Sequence, residues 1–305
     1  MGEYVGTVVT DGRVLLGGDF ENPNALTVIP REIRVNGETL RSDERTNQIR
    51  ALVHTALERG RSPEVLPPQR EQFLGIYQAL AEQQPHVVSI HYLGSLDGAA
   101  REARVCRQLM QPLQQIDVYE AKTLEGGLEF VIKTAQALAQ EGASATQLLA
   151  LLRYLEPHML TFLLTPGAIK PQPWNIIPGS ARLRSMMPST ETLWHFDPKQ
   201  RKLVVVQQGD QLTKRLGEIL QHGWGKLRYE AVVRYRGYSQ EQLEQLSNSL
   251  QTAGLPEPPR LEPVIATFLP CLPPRFIELL LLPTATDVAR LRGLVQDPIW
   301  WKGAA

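Results

Sequence analysis

The residues best placed to do chemistry are Gly94-Ser95-Leu96-Asp97-Gly98, a small-residue turn between an apolar run (Val87 to Leu93) and a helical pattern reaching about Met110. A strand-to-helix turn of this kind aims free backbone N–H groups outward, which suits an anion. Asp97 changes what the turn can hold. An ionised Asp97 fills the anion site itself and repels a second carboxylate, or it simply caps the helix that starts at Gly98. Ser95 stays available as a hydroxyl donor beside it. The spacing Gly94-x-x-x-Gly98 is only a fragment of a phosphate loop. No G-x-x-x-x-G-K-[ST] run occurs, and the missing lysine argues against a nucleotide. A G-x-S-x-G nucleophile elbow is also absent.

The 6 histidines show neither H-x-x-x-H nor H-E-x-x-H spacing. His86 and His91, five apart on one strand, are expected on opposite faces. No metal is therefore expected, and no other cofactor is indicated. The 2 cysteines, Cys106 and Cys271, form no C-x-x-C pair, which speaks against structural zinc or a disulfide scaffold and fits a reducing compartment. Arg234-Tyr235-Arg236-Gly237-Tyr238 could stack on nucleic acid. The zero net charge favours the other reading, an edge strand with solvated arginines. Trp300-Trp301, beside Ile299, could pack on the second lobe or form a contact surface.

Lysine plus arginine equals aspartate plus glutamate at 32 each, so no overall field draws the chain to nucleic acid or an anionic membrane. The most apolar late segment, 276–283, is too short to cross a bilayer. The start lacks a basic stretch followed by a long apolar one, and a cytoplasmic location is expected. A length of 305 residues suits two lobes of about 150 residues each.

Strand and helix signals alternate through the first half. Gly6 to Thr10 is a short strand. Leu26 to Val35 and Glu38 to Leu40 form a hairpin about Asn36-Gly37, whose residues readily take the positive φ of a tight turn. Helices are expected over 43–59 and 69–83, then a strand at Val87 to Leu93. After the helix to Met110 come a strand at Ile116 to Glu120 and helices near 125–140 and 144–155, the second opened by the capping box Ser144-x-x-Gln147. Met159 to Leu164 is a further strand. This alternation implies a mainly parallel sheet flanked by helices. From Thr165 the chain turns rich in Pro, Gly and Ser, so the lobes are placed at 1–165 and 166–305. The second α/β lobe pairs 191–196 with 202–207, then carries a helix near 211–221, a strand at 230–235, a helix capped by Ser239 and Gln242, and strands at 264–269 and 276–282.

In order and spacing these elements resemble the DegV family, bacterial proteins that bind fatty acids. The family's opening Thr-Asp-Ser resembles Thr10-Asp11-Gly12, and its Val-Pro-Leu hairpin element resembles Val28-Ile29-Pro30 to Leu40. Its Leu-Ser-Gly-Thr turn resembles Leu96-Asp97-Gly98-Ala99, and its Ile-Lys-Val-Ile-Asp-Ser strand resembles Ile116 to Ala121, with Gly127 in the helix that follows. The resemblance implies two α/β lobes, an acyl chain buried in one of them with its carboxylate near the interface, and a separate kinase subunit that phosphorylates the bound acid. The binding protein itself then does no chemistry.

A buried carboxylate needs donors or cations, and the family uses a threonine, a serine, an arginine and a histidine. Here the serine position falls on Asp97. The threonine position falls near Glu64 or Val65, and the arginine position near Gly167-Ala168-Ile169, with Lys170 two residues on. The histidine position falls on Phe268. The residues expected to meet a ligand are thus Thr10, Ser95, Asp97, Gly98, Ala99 and Phe268, with no catalytic residue among them. A fatty acid or other lipid is the expected ligand, held at an altered head-group site. A scaffold that has lost its lipid is the alternative.

Overall fold

The structure is a computed structural model that describes residues 4–12, 25–35, 37–41, 51–52, 55–56, 59, 64–84, 86–94, 98–110, 115–166, 191–209, 218, 228–252, 254–255, 257–264 and 275–295. Two compact units emerge. One gathers the chain as far as Glu156, and the other spans Pro157–Leu294.

In the first unit, β1 (Thr7–Asp11), β2 (Leu26–Ile29), β6 (His86–His91) and β7 (Gln115–Glu120) form a parallel sheet in the order β2-β1-β6-β7. All five residues of β1 are buried. Successive side chains of a strand alternate, so both faces of β1 are covered. Val9 and Val87 meet Phe73 and Tyr77 of α1 (Arg70–Ala81) and Ala99, Ala103 and Cys106 of α2 (Ala99–Met110). α3 (Glu125–Gln140) lies against β1, and α4 (Ala145–Leu155) lies against β6. Ser144 caps α4 as its sequence predicts, accepting from the Gln147 N–H at 3.2 Å while the Gln147 side chain accepts from the Ser144 N–H at 2.9 Å.

The expected strand Leu26 to Val35 divides in two. β2 joins the parallel sheet, and after Pro30-Arg31 the chain enters β3 (Glu32–Val35), which pairs antiparallel with β4 (Glu38–Arg41) and with β5 (Glu64–Val65). Proline lacks the N–H that a continuous ladder needs, so the break falls there. Gly37 takes φ +88°, as the hairpin turn requires. Of the helix expected over 43–59, the described positions 51, 52, 55 and 56 are helical.

In the second unit, β8 (Leu160–Pro166), β9 (Glu191–Asp197), β10 (Lys202–Gln208), β11 (Tyr229–Arg236), β12 (Arg260–Pro263) and β13 (Phe276–Pro283) form a mixed sheet in the order β10-β9-β8-β13-β11-β12. Only the β11/β12 pairing is parallel. β8 therefore does not extend the parallel sheet that strand–helix alternation suggested, because it pairs antiparallel with β9 and β13. β12 ends at Pro263, while most of the strand expected over 264–269 lies outside the described residues. Leu243 and Leu250 of α5 (Gln240–Thr252) pack on Phe162, Val233 and Leu279. Each such leucine contributes about 1.5–3 kcal/mol through burial. The unit's described chain closes with α6 (Ala285–Val295).

Arg234 and Arg236 are not solvated residues of an edge strand. β11 lies between β12 and β13, and both arginines are buried. Arg234 reaches the carboxylate of Glu278, its register partner on β13, at 3.0 Å. An arginine buried beside an ion-pair partner is not free to stack on a base.

Candidate functional site

In an open parallel sheet, ligands gather outside the carboxyl ends of the strands where the strand order reverses. Here the reversal lies between β1 and β6, since β2 extends the sheet one way from β1 and β7 extends it the other way. The groups at that edge are Thr10, Asp11 and Gly12 at the end of β1, His91 to Gly94 at the end of β6, and the start of α2.

Asp11 is the hub of a buried chain of polar groups. Arg31, from the break between β2 and β3, donates from Nε to Asp11 Oδ1 at 2.5 Å, and its Nη1 donates to the Leu66 carbonyl at 3.4 Å. His91 Nδ1 lies 3.1 Å from Asp11 Oδ2, and its Nε2 lies 2.7 Å from Ser89 Oγ. Tyr77 donates to the same Ser89 Oγ at 2.7 Å. With Tyr77 as donor, the serine proton goes to His91 Nε2, and His91 Nδ1–H goes to Asp11. The donors then all run toward the carboxylate. Burial pushes the Asp11 carboxyl up, but the Arg31 charge and the hydrogen bonds from His91 and Arg31 outweigh it and hold the group far below the usual carboxylate range. Phe73 closes the network edge-on to the His91 ring, with centroids 5.2 Å apart.

Ser89, His91 and Asp11 share the connectivity of an acyl-transfer triad. None of the three is more than 1% exposed, and the serine oxygen already accepts from Tyr77. A substrate carbonyl has no approach to that oxygen, so the cluster serves as structure: it ties β1, β6, α1, the β2–β3 junction and the segment at Leu66 together. The free thiol of Cys106 is also buried, and burial pushes it up to about 11, ahead of the nearby Glu102 charge. It is a poor nucleophile.

Of the residues expected at the ligand, Thr10 is fully buried and its Oγ1 has no hydrogen-bond partner. Gly98 supplies the carbonyl that accepts from Arg101 and Glu102, both at 3.1 Å. The N-cap position of α2 thus belongs to Gly98, one residue beyond Asp97. A Cβ at Gly98 would meet nothing within 4 Å. Ala99 is wholly buried in the core beside Val9 and Phe73. Ser95, Asp97 and Phe268 lie outside the described residues, as do Lys170, Trp300 and Trp301. Glu120, at the end of β7, accepts from the Gly94 N–H at 3.0 Å and from Arg104 at 2.5 Å, and so fixes where the 94–98 turn begins. At the family's threonine position, Glu64 pairs with Arg34 at 2.8 Å on the exposed face of the small sheet.

Sequence reasoning missed Arg31, Ser89 and Tyr77. Thr10-Asp11 was legible as a strand end, but nothing local marks Arg31 as its partner. His86 and His91 do lie apart as expected, with His86 Nε2 2.8 Å from Asp117 Oδ2 on β7. Among the described residues no cluster of three or more His, Cys, Asp or Glu could hold a metal ion. No helix among them is long and apolar enough to cross a membrane.

A family model described as "Uncharacterised protein, DegV family" matches residues 7–166. A DegV domain-containing protein of Staphylococcus aureus (strain COL) is 23% identical over 161 residues, covering 51% of this chain and 54% of its own length. One from Lactococcus lactis is 22% identical over 156 residues. The chain spans about half the length of these curated relatives. Among solved structures, a fatty-acid-binding DegV family protein from Thermus thermophilus superposes with TM-score 0.74 at 18% identity, covering 91% of this chain and 99% of its own. A stearic-acid-binding protein from Eubacterium ventriosum gives 0.70 at 16%, covering 91% and 98%. A DegV family protein from Eubacterium eligens, loaded with heptadecanoic acid, gives 0.66 at 11%, covering 91% and 99%.

Proposed function

Because the chain belongs to the DegV family, we propose that it binds a fatty acid or related lipid and presents it, without chemistry of its own, to a separate kinase subunit. The observation that carries this reading is a fold shared along 91% of the chain with proteins described as holding fatty acids. The non-catalytic part is supported by the Ser89–His91–Asp11 group, whose members are sealed and mutually satisfied. The residues at the four donor positions of the family argue for a head-group site that differs from its relatives.

Native mass spectrometry of the purified protein, with lipid extraction and titration of added long-chain acids, tests the reading. A co-purified acyl chain, or saturable binding of an added acid, is expected. A protein free of lipid and indifferent to every acid added would sink it. Asp97→Ser removes the one carboxylate of the 94–98 turn and should tighten fatty-acid binding; unchanged affinity would mean that Asp97 does not face the head group. A scaffold acting through protein contacts is the second reading. It is favoured by the way Asp11 and His91, at the sheet's carboxyl edge, are engaged by each other and by Arg31 and Ser89.

A further inference from the structure

At one end of the second sheet, where β11 leaves and β13 enters, two buried donors stand without acceptors. Arg236 pairs with Phe276 in the antiparallel register, so the residues just beyond, Tyr238 and Arg275, come together at the strand ends. Gly237, at φ +72°, makes the turn that brings Tyr238 back over the sheet. The Arg275 guanidinium carbon lies 4.2 Å from the Tyr238 ring centroid, so the cation stacks on the ring face rather than in line with the phenol oxygen. Arg275 Nε and Tyr238 OH are both buried, and neither has a hydrogen-bond partner. Among the described residues no carboxylate lies within ion-pair distance of Arg275. Burial raises the Tyr238 phenol, the charge and close side-chain approach of Arg275 oppose this, and the Glu191 charge, from the start of β9, adds to the rise; the approach does not reach hydrogen-bond geometry.

Buried donors go unmatched rarely, and each such group in a native fold asks for a reason. Both of these atoms donate, and one belongs to a cation that no carboxylate among the described residues neutralises. The group that answers both at once is an oxyanion with two acceptor atoms. The surroundings narrow it further. Tyr238, like Leu246, packs against the apolar cluster that includes Leu243 and Ile277, so an anion here has hydrocarbon beside it. We infer that Arg275 and Tyr238 form the carboxylate anchor for an acyl ligand within the second unit. The guanidinium Nε–H meets one carboxylate oxygen, and the phenol O–H meets the other. This rests on the fatty-acid reading above and supplies donors that the family's own positions lack in this chain. Among the described residues Glu191 is the acidic charge that acts on Tyr238, and it is exposed at the strand start.

The test is calorimetric titration of the full chain with laurate, with 1-dodecanol and with inorganic phosphate. Wild type should prefer laurate to dodecanol. Arg275→Met should weaken laurate on the order of ten- to a hundred-fold and leave dodecanol unchanged, as expected for a lost hydrogen bond to a charged group. Tyr238→Phe should weaken laurate less, and Arg275→Lys should restore part of the loss while thermal melts confirm folding. Laurate affinity untouched by Arg275→Met, or both ligands weakened equally, would overturn the anchor while leaving the fatty-acid reading intact. Binding of neither lipid would overturn that reading and the anchor with it. Phosphate bound through Arg275 in preference to laurate would replace the anchor with a general oxyanion site.

Discussion

Each unit buries an ion pair, Asp11–Arg31 in the first and Arg234–Glu278 in the second, and the two recruit their partners from different places. Arg234 and Glu278 are register partners on adjacent strands that the backbone ladder already joins; of their neighbours on the same face, Val232, Leu280 and Phe276 are apolar and Arg236 is charged. Asp11 and Arg31 come from a strand end and a chain break. They hold His91 on β6 and the Leu66 carbonyl beyond β5. One pair decorates a contact made by other means. The other lies beside the β1/β2 ladder but also holds a histidine on β6 and the carbonyl at Leu66, so the same chemistry should carry different weight in the two places.

The largest effect should come from Arg31→Met, which leaves the Asp11 charge buried without its guanidinium partner. A loss of about 3–5 kcal/mol is expected from urea unfolding followed by circular dichroism. Arg234→Met should approach that cost alone, yet Arg234→Met with Glu278→Leu should return to within about 1 kcal/mol of wild type, because a buried pair can be exchanged for apolar packing. The matching exchange in the first unit, Asp11→Leu with Arg31→Met, should stay destabilised by roughly 2 kcal/mol or more, since His91 and the Leu66 carbonyl lose their partners. Equal recovery in both units would erase the distinction between them.

Acid should separate the units next. The Asp11 carboxyl is depressed in the fold from its ordinary 3.8, so its contribution is fully present above that value and is lost as pH falls below it. Wild-type stability measured from pH 6 downward should therefore fall away through about pH 4 and below, whereas Asp11→Asn, weaker at neutral pH, should show a flatter acid limb. A parallel limb would assign the acid sensitivity elsewhere. Tyr77→Phe removes the outermost donor of the network and should cost about 1 kcal/mol. The smallest contrast lies in the capping boxes. Ser144→Ala, half-buried in the first unit, should cost about 1 kcal/mol, and Ser239→Ala, exposed in the second, about 0.5 kcal/mol.

Much of the element order was legible because its signals are local. The helices opening at Ser144 and Ser239 begin where a hydroxyl and a glutamine three residues on can exchange bonds with the backbone, and those atoms belong to one short segment. The strand at 276–283 is an apolar run and is buried throughout. What stayed hidden depends on which segment meets which. Leu26 to Val35 looks like one strand, and only its two destinations show why Pro30 divides it. Leu160–Pro166 has the pattern of a strand in any sheet, and its antiparallel partners placed it in the second. The run of small residues at 94–98 was legible, whereas the pairing of Tyr238 with Arg275 was not.

By itself the sequence determined the alternation of elements, the capped helix starts and the family likeness, because hydrophobic period and hydrogen bonds between near neighbours need no distant partner. Only the tertiary structure decided that Arg234 is buried rather than solvated, that Gly98 opens α2, and that Arg31 neutralises Asp11. A charge far from water is tolerable only beside its counter-charge, and the counter-charge comes from chain that lies remote in sequence until the fold brings it near.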